Sequence, residues 1–195
     1  MKAVMISIQP KWVEKIANGE KTIEVRKTAP KEVPFKCYIY ETKGQYVKFT
    51  HGAHTKYGYG RGKVIGEFIC DNVYSIKNRG SSFSVADEEQ SVTNEIARQS
   101  CLYYDDMVSY FGNKDGFGWH ISDLKIYDKP RELSEFNAVC KYINEDKSCH
   151  FRKVMCPYQQ FDYNEDGSIN IVECSRVIIR PPQSWQYIED LGEEK

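Results

Sequence analysis

The segment from residue 6 to residue 26 reads ISIQPKWVEKIANGEKTIEVR and carries the signals for a strand, a helix and a second strand. Met1–Ile8 is rich in apolar and β-branched residues, which is typical of a buried strand. Pro10 stands where a helix begins, because the first helical turn needs no N–H partner, and Gly19 is a typical helix end. In Thr22–Lys27 apolar and polar residues alternate, which predicts a half-buried strand with one polar face.

The rest of the chain is predicted to consist mainly of short strands. Strand patterns occur at Phe35–Glu41, Val64–Ile76, Gly116–Tyr127 and, as one or two strands, Ser168–Ile179. Residues 81–113 are richer in acids and fit two helices, at Val85–Arg98 and Tyr103–Phe111. Many short strands, one early helix and a helical insertion predict an α+β fold built on a small mixed sheet or barrel.

The composition is that of an ordinary folded protein. The chain has 195 residues, of which 41% are hydrophobic and 28% are charged. We expect one domain over residues 1–195, with a helical insertion at about 81–113 and a cysteine-containing irregular excursion at about 137–175. The apolar runs are too short for a membrane span, and the first residues lack the layout of a secretory signal. We therefore expect a cytoplasmic protein with no membrane partner and with reduced cysteines.

Charge is distributed unevenly along the chain. The whole chain has a net charge of −1, which gives no indication of a nucleic-acid partner. Residues 1–78 contain 14 Lys and Arg against 7 acids, a net charge of +7, whereas residues 79–195 contain 13 against 21, a net charge of −8. The basic first part favours an anionic partner for that part of the chain.

Three charged side chains stand close together at the start of the second predicted strand. Glu24 and Arg26 lie two residues apart and therefore project from the same face, with Lys21 at the mouth of the preceding turn. A guanidinium can bind a phosphate or a base edge, a carboxylate can accept from an amino group or act as a base, and an amine can supply charge or a nucleophile. The alternative interpretation is a Glu–Arg salt bridge on a solvated strand.

The same residues carry a resemblance to a known family. Gly19, Lys21, Glu24 and Arg26 follow the run Ile6–Ile16 in the pattern G-x-K-x-x-E-x-R, and a Pro-initiated helix followed by this pattern resembles the ASCH domain of the PUA-like superfamily. Three further segments resemble this family, and the last two are similar to its phage- and bacterial-type members: Gly66–Phe68, Gly118–Ile121 and Arg180–Trp185.

The resemblance implies both a fold and a partner. It implies a PUA-like mixed β-barrel with a cleft beside the first helix, and it implies that Lys21, Glu24 and Arg26 line this cleft. ASCH domains are generally proposed to bind RNA. We therefore predict a protein that binds RNA or a nucleotide-like ligand in the cleft.

Two other functions stay open. One branch of the family hydrolyses N4-acylated cytidines with a lysine, a threonine and a glutamate; Lys21 matches this lysine, but Glu24 stands at the position of the threonine. Other members have been proposed to be ribonucleases. If the chain is an enzyme, Lys21 and Glu24 are the catalytic candidates. The second alternative is a protein-interaction module that docks through the acidic helices of residues 81–113.

A basic and aromatic segment at residues 44–62 fits a binding function independently. It predicts a loop or hairpin in which tyrosines alternate with cations, and aromatic rings between cations can stack on bases. The alternative is a surface loop whose tyrosines pack on the barrel. The candidate binding residues of this segment are Lys48, Tyr57, Tyr59 and Arg61.

Two patterns resemble metal sites, although no cofactor is predicted. The spacing of Cys140, Cys149, Cys156 and Cys174 permits a zinc site, but no C-x-x-C pair is present. Residues 162–173 satisfy the EF-hand template for calcium, with Asp162, Asn164, Asp166 and Glu173 as its ligands. The flanking residues suggest strands rather than helices, so a β-hairpin turn at Asn164–Gly167 is the alternative.

Overall fold

The computed structural model describes residues 2–48, 56–140, 161–163, 165–171 and 176–192. The strands are β1 (Ala3–Ile8), β2 (Ile23–Arg26), β3 (Phe35–Glu41), β4 (Gly44–Lys48), β5 (Lys56–Gly60), β6 (Lys63–Cys70), β7 (Val73–Asn78), β8 (Phe83–Val85), β9 (Gly116–His120), β10 (Ser122–Arg131), β11 (Phe161–Tyr163), β12 (Ile169–Ile171) and β13 (Trp185–Ile188). The helices are α1 (Pro10–Ala17), α2 (Gln90–Ser100) and α3 (Tyr104–Phe111), with a 3-10 turn at Leu133–Glu135.

A five-stranded sheet forms the centre of the molecule, in the order β10-β6-β3-β1-β13. β1 is parallel to β3 and antiparallel to β13, and the other neighbours are antiparallel. Parallel strands cannot be joined by a tight turn, so the chain between β1 and β3 makes a crossover. This crossover contains α1 and β2, and Arg26 of β2 reaches back to β1, where it donates to Ser7 O.

The remaining described strands form a four-stranded sheet, in the order β2-β9-β7-β8, and two separate hairpins, β4–β5 and β11–β12. The predicted α+β class is confirmed. The predicted closed barrel is not, because the described strands divide into separate open sheets. None of the helices in the described ranges is long and apolar enough to span a membrane.

Both faces of the central sheet are covered. Neighbouring residues of β3 point to opposite faces, so Cys37 and Ile39 join a core that contains Trp119, whereas Tyr38 joins a second core that contains Phe136. The first core includes the apolar side of α1, and the second is closed by the chain around the 3-10 turn and by residues that precede β13. This double burial explains why β1 is apolar on both faces.

Helices α2 and α3 pack on the four-stranded sheet. Ile96 of α2 and Met107 and Phe111 of α3 form a third core with Ile23 and Val25 of β2. Two helices were expected in this part of the chain, and α2 begins five residues later than the pattern indicated. The apolar face of β2 is therefore buried by these helices, while its charged face points the other way.

Two predicted long strands are each divided, because the chain passes from one sheet to the other. The predicted strand Val64–Ile76 belongs to the five-stranded sheet up to Cys70 and to the four-stranded sheet from Val73. The predicted strand Gly116–Tyr127 is divided in the same way between β9 and β10. The backbone carbonyl of Asn72 fixes the first break by accepting from His120 N at 2.9 Å. Periodicity alone does not show such a change of sheet.

The EF-hand pattern forms a β-hairpin. β11 and β12 pair antiparallel, with Phe161 opposite Ile171, and Gly167 has a φ of 78° in the connecting turn. Oδ1 of Asp166 accepts from Ser168 N at 2.8 Å, which is local turn geometry. The alternative interpretation of the segment as a hairpin is therefore correct, and the helix–loop–helix frame of an EF-hand is absent from the described part of the segment.

The packing of residues 176–192 on the second core gives a stability prediction. Ile178 is 5% exposed, whereas its neighbour Ile179 is 78% exposed. We expect Ile178→Ala to lower the free energy of unfolding by about 2–5 kcal/mol, because it leaves a cavity beside Phe136. The matched change Ile179→Ala is expected to alter it by less than about 0.5 kcal/mol. Urea denaturation measures both values, and equal effects would show that this segment is not part of the domain core.

Candidate ligand-binding cleft

A cleft of about 540 Å³ lies between the start of α1, the charged face of β2 and helix α3. This volume lies within the range of small-molecule sites, which is about 300–1,000 Å³. Its charged lining residues are three cations and two carboxylates. The lining side chains that matter below are Lys11, Trp12, Lys21, Glu24, Arg26, Asp106, Ser109, Tyr110 and Gln183.

Lys21 is buried at the inner end of the cleft, with only 2% of its surface exposed. Its Nζ donates to Ile23 O at 2.8 Å and to Ser100 O at 2.6 Å, and it lies 3.4 Å from Glu24 Oε2. Burial lowers the pKa of the Lys21 ammonium from its ordinary value, and the Glu24 carboxylate opposes this change. An ammonium has three N–H donors, and each has an acceptor here. The side chain therefore links β2 to the end of α2.

Glu24 and Arg26 form an ion pair on the same face of β2. Glu24 Oε1 lies 2.9 Å from Arg26 Nη2, and this nitrogen also donates to Ser7 O at 2.7 Å. The two residues are only 5% and 6% exposed, so the Glu–Arg salt bridge of the alternative interpretation is present, but on a buried face of the strand and not on a solvated one. Within the described part of the chain, Nε of Arg26 is buried and has no hydrogen-bond partner.

The cleft walls supply aromatic surface. Trp12 is half-buried at the start of α1, with Lys11 Nζ 4.4 Å and Lys21 Nζ 5.3 Å from its ring centre. Tyr110 of α3 lines the opposite wall beside Arg26. Burial raises the pKa of the Tyr110 phenol, and the charge of Arg26 opposes this change. The phenol is therefore neutral near pH 7, and it hydrogen-bonds to the Arg26 side chain and to the backbone of Lys27.

Helix α3 is the part of the site that sequence analysis missed. Leu102, Asp106, Ser109 and Tyr110 line the cleft although they follow β2 by about 80 residues. The sequence predicted a helix at Tyr103–Phe111, but not which element it would face. Trp12 of α1 packs against the main core and also lines the cleft, although it was not among the candidate residues.

Of the candidate residues of the 44–62 segment, Tyr59 and Arg61 are not among the residues that line the cleft. β4 and β5 form a hairpin in which Lys48 pairs with Lys56 and Val47 with Tyr57, and the side chains of Lys48 and Tyr57 lie outside the described part. Tyr59 is 71% exposed. The backbone N of Arg61 donates to Glu41 Oε2 at 2.7 Å. The four residues therefore stay predicted contacts.

The metal candidates are only partly described. Cys140 is buried, whereas Cys149, Cys156 and Cys174 lie outside the described residues, as do Asn164 and Glu173 and the side chain of Asp162. Asp166 bonds to Ser168 in the hairpin turn, and this contact lowers the pKa of its carboxyl group. Across the residues that the structure describes, no group of three or more His, Cys, Asp or Glu side chains is placed to hold a metal ion.

The fold is similar to solved structures. A crystal structure titled as ASCH from Zymomonas mobilis superposes with a TM-score of 0.51 and 16% sequence identity, covering 96% of this chain and 88% of that one. A crystal structure of a serine-to-alanine variant of the Zymomonas mobilis protein gives the same TM-score and identity, with 96% and 89% coverage. Among curated protein sequences there is no significant match.

The sequence also matches a family model. The model of the ASCH domain matches residues 6–145, which include the end of β1, all of α1, and Lys21, Glu24 and Arg26. This match covers more than two thirds of the chain and confirms the resemblance that the G-x-K-x-x-E-x-R pattern indicated. The chain belongs to the ASCH domain family.

Proposed function

We propose that this protein binds RNA or a nucleotide in the cleft between α1, β2 and α3. The observation that carries the proposal is a buried and mutually oriented set of charges, Lys21, Glu24 and Arg26, at the base of a cleft of about 540 Å³. Burial of such a set costs more hydration energy than its ion pairs return in many proteins. Its presence in a cleft therefore supports a role in recognition.

The chemistry of the cleft suits a nucleobase. Glu24 lies between two fixed cations, Lys21 and Arg26, and a carboxylate only accepts hydrogen bonds. A carboxylate has about four acceptor positions, so Lys21 and Arg26 leave acceptor capacity for a ligand. Donors on the ligand that match Glu24 are the amino groups of cytosine, adenine and guanine.

The cations around the mouth of the cleft suit a ligand that carries a phosphate. Lys11 lines the cleft and makes no ion pair among the described residues, and the first turn of α1 contains no acid. The candidate cations Lys48 and Arg61 of the β4–β5 hairpin belong to the same basic first part of the chain. The chain belongs to the ASCH domain family, whose members are generally proposed to bind RNA. This supports the proposal that the cleft binds RNA or a nucleotide.

The catalytic alternative has one supporting observation, which is the lowered pKa of Lys21. A lowered pKa makes an amine easier to deprotonate, and a deprotonated amine can act as a nucleophile or a base. Against this, all three donors of its ammonium face acceptors, and two of these are backbone carbonyls that cannot move away independently. This arrangement favours a positioning role for Lys21, which holds Glu24 in place, over a reactive one.

A base preference tests the assignment of Glu24. We expect CMP, GMP and AMP to bind more tightly than UMP, by about tenfold, because uracil has no exocyclic amino group to donate to Glu24. Isothermal titration calorimetry at low salt measures the four affinities. Equal affinity for UMP and CMP would exclude Glu24 as the group that contacts the base.

A bulky side chain placed in the cleft tests whether the ligand binds there. Ser109 lies on the exposed wall of α3, so Ser109→Trp fills the cleft without touching the core, and we expect binding to weaken by at least about tenfold. Ser91→Trp, at an exposed position of α2 outside the cleft, is the matched control and is expected to bind as the wild type does. Thermal unfolding shows whether both variants keep the fold. If Ser109→Trp binds normally, the ligand sits elsewhere.

Product analysis separates binding from catalysis. We expect that incubation of the protein with N4-acetylcytidine, and separately with RNA, gives no product by mass spectrometry, because Lys21 is held by three acceptors. Product that disappears with Lys21→Arg, a change that keeps the charge, would establish the enzymatic alternative instead.

A further inference from the structure

A second groove continues from the cleft on the other side of α1. It has a volume of about 1,030 Å³ and lies between α1 and strand β4 with the turn that precedes it. The two cavities share four lining residues, which therefore stand at the junction between them: Gln9, Lys11, Trp12 and Thr42. A ligand that occupies the cleft can thus extend past Trp12 into the groove.

From this junction we infer that the ligand is a single-stranded RNA, which places one unpaired base in the cleft and runs past Trp12 along the groove. The inference rests on the proposed function and deepens it. A base whose edge contacts Glu24 cannot be paired with another base at the same time. Proteins that recognise RNA sequence mostly bind such unpaired bases, which they stack on aromatic rings.

Trp12 has the surroundings of a stacking platform. Its ring is half-buried, packs against the main core on one side and lines both cavities. Lys11 Nζ and Lys21 Nζ lie 4.4 Å and 5.3 Å from the ring centre, so positive charge is close to any base stacked on it. Single-strand binding sites combine these two features, which are aromatic rings for the bases and cations for the backbone.

The groove supplies cations for the backbone of the strand. Lys11 and Lys43 line it and form no ion pair in the described ranges, whereas Lys15 is paired with Glu20 at 2.9 Å. The side chain of Tyr46 lines the groove from β4. The Tyr46 ring packs against Gly58 of β5, where a Cβ atom would lie 2.4 Å from the ring. The ring is therefore held against the hairpin. The groove therefore offers a second aromatic surface beyond Trp12.

Comparison of ligand lengths tests the inference. The probes are AMP, a fluorescein-labelled single-stranded A₆ RNA, and a duplex probe, which is a labelled hairpin whose stem pairs A₆ with U₆ between stable runs of G·C pairs, measured by calorimetry or fluorescence anisotropy at low salt. We expect the hexamer to bind at least about tenfold more tightly than AMP, and the duplex more weakly than the single strand, because the hexamer also contacts Trp12 and the groove. Equal affinity for AMP and the hexamer, or tighter binding of the duplex, overturns the inference while leaving the proposed function intact.

Variants of Trp12 separate stacking from support of the fold. Trp12→Leu keeps an apolar side chain and is expected to weaken hexamer binding by about tenfold, whereas Trp12→Phe keeps a ring and recovers most of the affinity. If Trp12 only supported the fold, its substitution would lower thermal stability and hexamer affinity together. Trp12→Phe would then bind the hexamer no better than Trp12→Leu. Equal hexamer affinity for Trp12→Leu and the wild type contradicts the inference.

Lys43 tests the path of the strand. Lys43→Gln is expected to reduce the slope of log affinity against log salt by about one for the hexamer, and to leave AMP binding unchanged. Lys129→Gln removes an exposed lysine of β10 that lines neither cavity, and it is the matched control. An unchanged slope for Lys43→Gln overturns the proposed path. Absence of binding to every probe, AMP included, would refute the proposed function itself and this inference with it.

Discussion

The buried ammonium of Lys21 has to be surrounded by acceptors, and this requirement connects parts of the chain that are distant in sequence. Its acceptors are the carbonyls of Ile23 and Ser100 and the carboxylate of Glu24. The carbonyl of Ser100 belongs to the end of α2, so the helical insertion is attached to β2 by the same charge that orients Glu24. Arg26 extends the network to Ser7 at the end of β1. The position of each wall of the cleft therefore depends on one ion cluster.

The sequence predicted the local parts of this arrangement well. Strand β1, helix α1 and strand β2 follow from neighbouring residues, because Pro10, Gly19 and the alternation in Thr22–Lys27 act over a few positions. The common face of Glu24 and Arg26 follows from strand geometry in the same way. These are the features for which short-range stereochemistry decides the structure.

The parts that escaped prediction depend on contacts between distant segments. Lys21 is bonded to Ser100 at the end of α2, and the cleft above Glu24 and Arg26 is lined by α3, two helices that follow β2 by about 80 residues. The breaks between β6 and β7 and between β9 and β10 occur where the chain changes sheet, which the alternation of apolar residues does not indicate. The double role of Trp12, in the core and in the cleft, likewise depends on what surrounds the helix.

Strand β13 has a consequence for the order in which the protein can assemble. It lies beside β1, and the residues just before it meet Ser7, whose N donates to Ser184 O at 3.0 Å and whose Oγ donates to Pro182 O at 2.6 Å. Gln183 lines the cleft directly. During synthesis on the ribosome, β1, α1 and β2 are thus made more than 150 residues before Gln183, which completes the lining of the cleft. The complete cleft therefore forms only late in synthesis, and a chain that is released before Gln183 would lack part of the cleft lining.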